Sequence, residues 1–366
     1  LPQVIKKRIV LASVLKPVSD TRMFEKLGQS LALLLQADVH IIGFPSETPY
    51  VQGVTFHKIF SKPFRRISLK RLIAPVKIFF MFLRLRPESI IVSTHELLIP
   101  GALYKCIKRG VRLYYDVQEN YYFNIRFTSA FPQLLRAPLA AYVRMKERLV
   151  SPAVNHFLLA EKGYVDELKF IRHYTVLENK LVKQTEAAEN QKNRLHLLFT
   201  GTLAETTGAV QAVELALELH RHDNQVRLTI IGHAPDEKFL KKLRQRTDEH
   251  PFIQLRAEPF PVPHKVILEA IAWAGTGIII YPHNPSTRTS IPTKLYEYLG
   301  MKLPVIIRHN EASHEFVQQC RGGIVLPDNP DYQLLLEELR ALQPPLCAEW
   351  LYWESEVPKL LQIFNS

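Results

Sequence analysis

Two stretches of this 366-residue chain carry side chains whose types and spacing could do chemistry. The first is Ser290-Ile291-Pro292-Thr293-Lys294-Leu295-Tyr296-Glu297-Tyr298-Leu299-Gly300, followed by Lys302-Leu303-Pro304-Val305-Ile306. Pro292 suits the opening of a helix, Thr293 and Lys294 then fall in its first turn, and Glu297 shares a face with Thr293. A helix start offers unpaired N–H groups and the positive end of the macrodipole, which suit a diphosphate. Lys294 would add a full charge, Arg288 just upstream is a second available cation, and Glu297 could accept hydrogen bonds from ribose hydroxyls. A solvated amphipathic helix is the other reading of the same residues. The second stretch is His95-Glu96, just past an apolar run, with Asp116 and Glu119 closing the next one. These are a titratable imidazole and two carboxylates suited to acid/base work. The other reading is that the carboxylates cap the segment that follows and hold the cleft wall. Ile99 stands where a second His of a zinc-hydrolase motif would be, so that chemistry is excluded, and no metal site is read.

The elements that must position these residues alternate. Ile9–Leu15 reads as a buried strand, Met23–Gln36 as a helix capped by Asp20 or Thr21, and Val39–Phe44 as the next strand. Strand, helix, strand at this spacing is a right-handed βαβ unit with parallel strands. The pattern recurs with Ser89–Ser93, Ile99–Arg109, Val111–Asp116 and His156–Ala160. After a polar stretch, a second alternation begins: strands at Leu195–Thr200, Val226–Gly232, Ile253–Arg256, Gly277–Tyr281 and Leu303–Ile307, with helices at Gly208–His220 and Asp236–Arg246. The expected architecture is α/β, two Rossmann-like doubly wound domains facing a central cleft. The expected division is a first domain at residues 1–181, a linker at 182–194, a second domain at 195–345 and a C-terminal segment at 346–366. Ligands in such sheets bind beyond the carboxyl ends of the strands.

Charge divides the chain unevenly. Residues 1–180 hold 28 Lys+Arg against 13 Asp+Glu, whereas residues 181–366 hold 19 against 22, although the total is +12. The excess is concentrated at residues 58–86, with nine Lys/Arg, no Asp/Glu and the run Ile78-Phe79-Phe80-Met81-Phe82-Leu83. Six uncharged residues cannot span a bilayer. Basic residues beside Phe and Leu fit a helix lying on an anionic membrane, or a buried helix with snorkelling charges. Nothing matches a nucleic-acid-binding motif, so no nucleic acid partner is expected. Three cysteines without a C-x-x-C, and no signal-peptide pattern, favour a reducing compartment: cytoplasmic, peripheral at the inner face of the cell membrane.

Pro292, Lys294, Glu297, Tyr298, Leu299, Pro304 and Val305 stand in the order and spacing of the donor-site helix of retaining GT-B glycosyltransferases, and the chain resembles glycosyltransferase family 4. Leu198-Phe199-Thr200-Gly201-Thr202-Leu203 with Thr207-Gly208 is similar to that family's strand and loop facing the donor phosphates. Asp20-Thr21-Arg22, Tyr115-Asp116-Val117-Gln118-Glu119 and the segment Trp350–Leu361 extend the resemblance over nearly the whole chain. Departures are specific. Thr202 and Thr207 stand where the family offers Arg and Lys to the diphosphate, Thr289 where it often has a first Glu, and Gln118 where it has His.

The resemblance implies transfer of a sugar from a nucleoside diphosphate sugar to a carbohydrate or lipid-linked acceptor, with retention and without a metal or other cofactor, in polysaccharide or glycolipid synthesis. It makes residues 1–181 the acceptor-side domain, 195–345 the nucleotide-sugar domain and 346–366 a helix returning to the first, and it places donor binding at Gly201, Thr202, Arg288, Pro292, Thr293, Lys294 and Glu297. His95 would contact donor sugar or acceptor, with Asp116 and Glu119 as candidate carboxylates. A catalytically degenerate assembly partner and a nucleotide-sugar epimerase are the alternatives.

Overall fold

The computed structural model describes residues 6–62, 68–128, 131–184, 193–258, 260–282 and 290–365. These divide into two units, residues 1–179 with 356–366, and residues 180–355.

In unit 1 the described strands form one parallel sheet in the order β3-β2-β1-β4-β5-β6-β7. They are β1 (Arg8–Pro17), β2 (Asp38–Phe44), β3 (Val54–Lys58), β4 (Ser89–Val92), β5 (Arg112–Val117), β6 (His156–Leu159) and β7 (Tyr174–Val176). Helices cover the sheet: α1 (Gln29–Leu34), α2 (Leu69–Leu85), α3 (Leu98–Ile107), α4 (Tyr121–Phe127), α5 (Gln133–Val150) and α6 (Tyr164–Glu167). The helix read from Met23 begins instead at Thr21 as π-type turns to Gly28, with Asp20 accepting from the Arg22 and Met23 N–H groups. Asp20, not Thr21, is therefore the cap. Val10, Ala12, Ile90, Val92, Leu113 and Tyr115 belong to a core that α2 and α3 close with Ile78, Phe82 and Tyr104. Near-continuous apolar runs such as Ile9–Ala12 reflect burial on both faces of a parallel sheet.

Unit 2 has a described parallel sheet of order β10-β9-β8-β11-β12-β13. Its strands are β8 (His196–Thr202), β9 (Arg227–His233), β10 (Ile253–Glu258), β11 (Thr276–Ile279), β12 (Val305–Arg308) and β13 (Gly323–Leu326). Its helices are α7 (Ala209–His222), α8 (Glu237–Thr247), α9 (His264–Trp273), α10 (Thr293–Gly300), α11 (Glu311–Gln319) and α12 (Tyr332–Ala341). Most of the expected linker, residues 185–192, lies outside the described residues.

Residues 346–355 stay with unit 2 as two 3₁₀ turns; the Trp353 N–H donates to the Leu181 carbonyl at 2.7 Å. The chain then rejoins unit 1 as α13 (Val357–Asn365). There the Phe364 ring stacks on Tyr114 of β5 with centroids 4.6 Å apart, and Lys7 Nζ donates to the Phe364 carbonyl at 3.4 Å. Removing a buried ring from such a contact leaves a cavity. Phe364→Ala is therefore expected to destabilise unit 1 by about 3 kcal/mol, read from the urea midpoint of the transition that near-ultraviolet tyrosine signals follow.

Candidate functional site

In each sheet the strand order reverses once: between β1 and β4 in unit 1, and between β8 and β11 in unit 2. At such a reversal the crossovers leave in opposite directions and open a crevice at the carboxyl edge. His95 follows the first of these reversals, and Gly201, Thr202 and Lys294 lie at the second.

In unit 2, β8 ends in Gly201-Thr202, and Gly201 has φ +103°, a conformation that a side chain would strain. The Lys294 ammonium lies beside it, 3.8 Å from where a Cβ on Gly201 would stand. Lys294 is buried, with Nζ 4.2 Å from the Phe199 ring centroid on β8 and 5.1 Å from that of Tyr281, two residues past β11. The reversal thus holds one cation between two aromatic faces. Burial pulls the Lys294 pKa down to about 7, and the nearby Glu297 carboxylate opposes that only in part.

Pro292, extended at φ −64° and ψ 142°, sets the start of α10 and accepts from the Leu295 N–H at 2.8 Å. Thr293 is the first residue of the helix. Tyr298, a turn after Lys294, fixes α10 against the sheet. Its hydroxyl accepts from the Thr200 N–H at 3.0 Å and shares a 2.8 Å hydrogen bond with the Thr200 hydroxyl. Its ring packs on Gly277 of β11 so closely that a Cβ there would stand 2.3 Å away. Glu297 is buried and receives His264 Nε2, from the first turn of α9, at 3.1 Å. His264 went unnoticed in the sequence: an isolated His 33 residues upstream carries no spacing signal.

Thr202 is exposed at the end of β8. Thr207 is occupied locally, its hydroxyl accepting from the Ala204 N–H at 3.0 Å and donating to the Ala204 carbonyl at 2.9 Å. That turn hands over to α7 through Gly208 at φ +84°, where a Cβ would meet the Ile280 carbonyl at 2.3 Å. Arg288 and Thr289 lie outside the described residues.

In unit 1, His95 follows β4 at the reversal and is buried. Lys146 Nζ of α5 donates to its Nδ1 at 2.7 Å, its ring meets Tyr121 edge-on at 4.7 Å, and its Nε2 lies 3.6 Å from Glu96 Oε2. An ammonium donating to Nδ1 requires the neutral ring with its proton on Nε2. Burial, with Lys146 and Arg71 adding to it, drives the His95 pKa down to about 4 against the pull of Glu96. Arg71 of α2 pairs with Glu96. Next to them Glu147 accepts the Tyr115 hydroxyl at 2.9 Å and faces Arg144 at 3.4 Å; burial pushes its carboxyl pKa up. Sequence reading missed Arg71, Arg144, Lys146 and Glu147, because only the packing of α2 and α5 brings them to His95.

Asp116, at the end of β5, is fully buried and committed to Arg22. The guanidinium reaches both carboxylate oxygens, Nε to Oδ1 at 2.8 Å and Nη2 to Oδ1 at 2.7 Å among the contacts, and Nη1 donates to the Leu177 carbonyl at 2.8 Å. Gln118 Nε2 also donates to Asp116, at 2.8 Å. This arrangement holds the strand ends together and leaves Asp116 poorly placed for proton transfer. Glu119 accepts from Asn124 Nδ2 at 2.8 Å and lies 4.0 Å from Lys16 Nζ.

Compared with solved structures, the chain superposes over nearly its full length. A sucrose-phosphate synthase from Thermosynechococcus elongatus matches with TM-score 0.69 and 12% identity, covering 98% of both chains. The chain has the GT-B fold. Anabaena HepE in complex with UDP-glucose follows at TM-score 0.65 and 11% identity, over 98% of this chain and 99% of that one. An α,α-trehalose-phosphate synthase (UDP-forming) from Burkholderia vietnamiensis shares the fold at TM-score 0.58 and 11% identity, over 98% and 96%. No protein-family model matches the chain, and no curated protein matches it in sequence.

The depressed His95 pKa has a measurable consequence. An unfolded His takes its proton near 6.5 and the folded one near 4. Between these values the unfolded state binds more protons, so His95 subtracts up to about 3 kcal/mol from unit 1 stability as pH falls from 7 to 4. Glu96, held low against its burial by the Arg71 guanidinium, also loses stability on acidification, whereas Glu147, held high by burial, regains it. Urea midpoints across that pH range are expected to fall less steeply in His95→Gln than in the unaltered chain.

Proposed function

We propose that this chain transfers a sugar from a nucleoside diphosphate sugar to an acceptor hydroxyl. The observation that carries the reading is Lys294, desolvated between Phe199 and Tyr281 at the strand-order reversal of unit 2, beside Gly201 and in the first turn of α10. A buried ammonium without a carboxylate in tight contact is costly, and an anionic ligand offsets that cost. The α10 N–H groups and dipole add to the same field. Solved relatives in fold that carry or form UDP make UDP-sugars the first donors to test.

In this reading the bond between the anomeric carbon and the diphosphate breaks, and the acceptor oxygen takes its place on that carbon. The leaving diphosphate accepts the acceptor's proton while Lys294 and α10 stabilise its growing charge. Glu297 holds the ribose hydroxyls, oriented by His264. His95, neutral with its proton on Nε2, donates to the sugar or the acceptor. Retention of configuration is what the family 4 resemblance implies. The exposed Thr202 and the locally satisfied Thr207 leave Lys294 as the main side-chain cation on the diphosphate among the described residues, which also supports a degenerate binding partner as the second reading.

Glu297→Ala is expected to abolish detectable UDP binding by calorimetry; unchanged affinity would sink the donor-site assignment. Incubating the chain with UDP-sugars and an acceptor panel separates the readings. A glycosylated product supports transfer, an altered nucleotide sugar without acceptor supports epimerisation, and binding without either supports the degenerate partner.

Lys294 also predicts proton uptake. With a pKa of about 7 it is largely neutral at pH 8, and a bound diphosphate re-protonates it. UDP affinity is then expected to weaken by up to about tenfold per pH unit above 7. Calorimetry at pH 8 in buffers of differing ionisation enthalpy should register the uptake in the unaltered chain and its loss in Lys294→Met.

A further inference from the structure

Three neighbouring helices of unit 1 present apolar stripes to solvent. On α2, Ala74, Ile78 and Phe82 face the core, while Leu69, Leu72, Ile73, Val76 and Phe80 lie on the opposite face; Leu72 is 73% exposed and Phe80 63%. At 100° per residue these five fall within about 100° of arc, a second apolar stripe that no described part of the chain covers. Lys70, Lys77 and Arg84 are exposed along one flank of it. Next to α2, α3 exposes Ile99, Leu103 and Ile107, spaced four apart, and Lys108 and Arg109 follow it in solvent. Next to α3, α5 exposes Tyr142, Met145 and Leu149, with Arg148 beside them. Across the three helices there is one acidic residue, Glu147, and it is buried.

Continuous apolar stripes rimmed by cations without an exposed anion fit one kind of partner. We propose that α2, α3 and α5 together form a docking face for the surface of an anionic lipid bilayer, their apolar side chains entering the headgroup region and their Lys and Arg meeting lipid phosphates. The sequence pointed only to residues 58–86; the structure adds α3 and α5 and turns a stripe into a face. No described helix is long and apolar enough to cross a membrane, so the contact is with the surface. A second copy is a poor occupant. A two-fold interface would set this face against itself, bringing Lys and Arg together with no exposed carboxylate to pair them. A nucleic acid would meet the cations but leave the aliphatic stripes in water.

The test is co-sedimentation of the full chain with phosphatidylcholine vesicles, with and without phosphatidylglycerol, at low and high salt. Binding is expected to need the anionic lipid, to weaken with salt, and to fall by about tenfold or more in Phe80→Glu and in Leu149→Glu. Both side chains are exposed, so circular dichroism and unfolding midpoints should stay unchanged, and two variants on different helices guard against a local folding defect. No association with anionic vesicles at low salt would overturn the proposal, as would association that both variants leave intact. Self-association in the absence of lipid that Phe80→Glu abolishes would assign the face to a second copy instead. None of these readouts depends on sugar transfer, so the docking face and the proposed activity stand or fall separately.

Discussion

All the pairings between described strands in both sheets are parallel, and parallel neighbours can be joined only by a crossover long enough to return over a sheet face. That constraint settles much else. It buries the strands on both faces, which makes them apolar runs, and because crossovers are right-handed, helices reach both faces only where the strand order reverses, as it does once in each sheet. His95 sits at one reversal and Lys294 at the other because the carboxyl edge there is where backbone ends diverge and side chains can converge. The Val14 N–H donating to Thr94 Oγ1 at 3.3 Å shows how closely the two diverging strands of unit 1 remain tied just before His95.

The two reversals handle buried charge differently. In unit 1 the charges are paired: Arg22 with Asp116, Arg71 with Glu96, Arg144 with Glu147, while Lys146 is spent on a neutral imidazole. Such pairs contribute little net stability, yet removing one partner leaves the other uncompensated. They act as a rigid frame in which His95 has one tautomer and one orientation. In unit 2 Lys294 has aromatic faces and a more distant carboxylate. The frame around Lys294 is apolar and hydrogen-bonded rather than ionic, with Tyr298 bridging α10 to β8 and packing on β11.

What the sequence disclosed follows the same division. The strands β1, β2, β4, β5 and β8 were legible because burial on both faces leaves uninterrupted apolar runs. The edge strand β3 was not, since Val54–Lys58 is only partly buried and mixes polar residues into a weaker pattern. The α10 motif was legible because its residues are sequential, and their spacing carries the geometry. Lys146, Arg71 and His264 were not, because each meets its partner from another element, 25 to 51 residues away. The extent of the apolar basic block was legible only in part. On one helix, exposed and buried stripes are equally apolar, and the packing alone decides which of them faces water.

Helix α13 has a consequence for how the molecule is made. Tyr114 waits for Phe364, about 250 residues later in the chain, and everything in unit 2 is synthesised between them. Domains usually fold in the order they leave the ribosome. Here the first unit stays unfinished at one edge of its core until α13 emerges, after all of the second unit. The nascent protein therefore passes through a long stage in which the earlier-made half still exposes an aromatic surface, making it the half that chaperones would be called upon to shield.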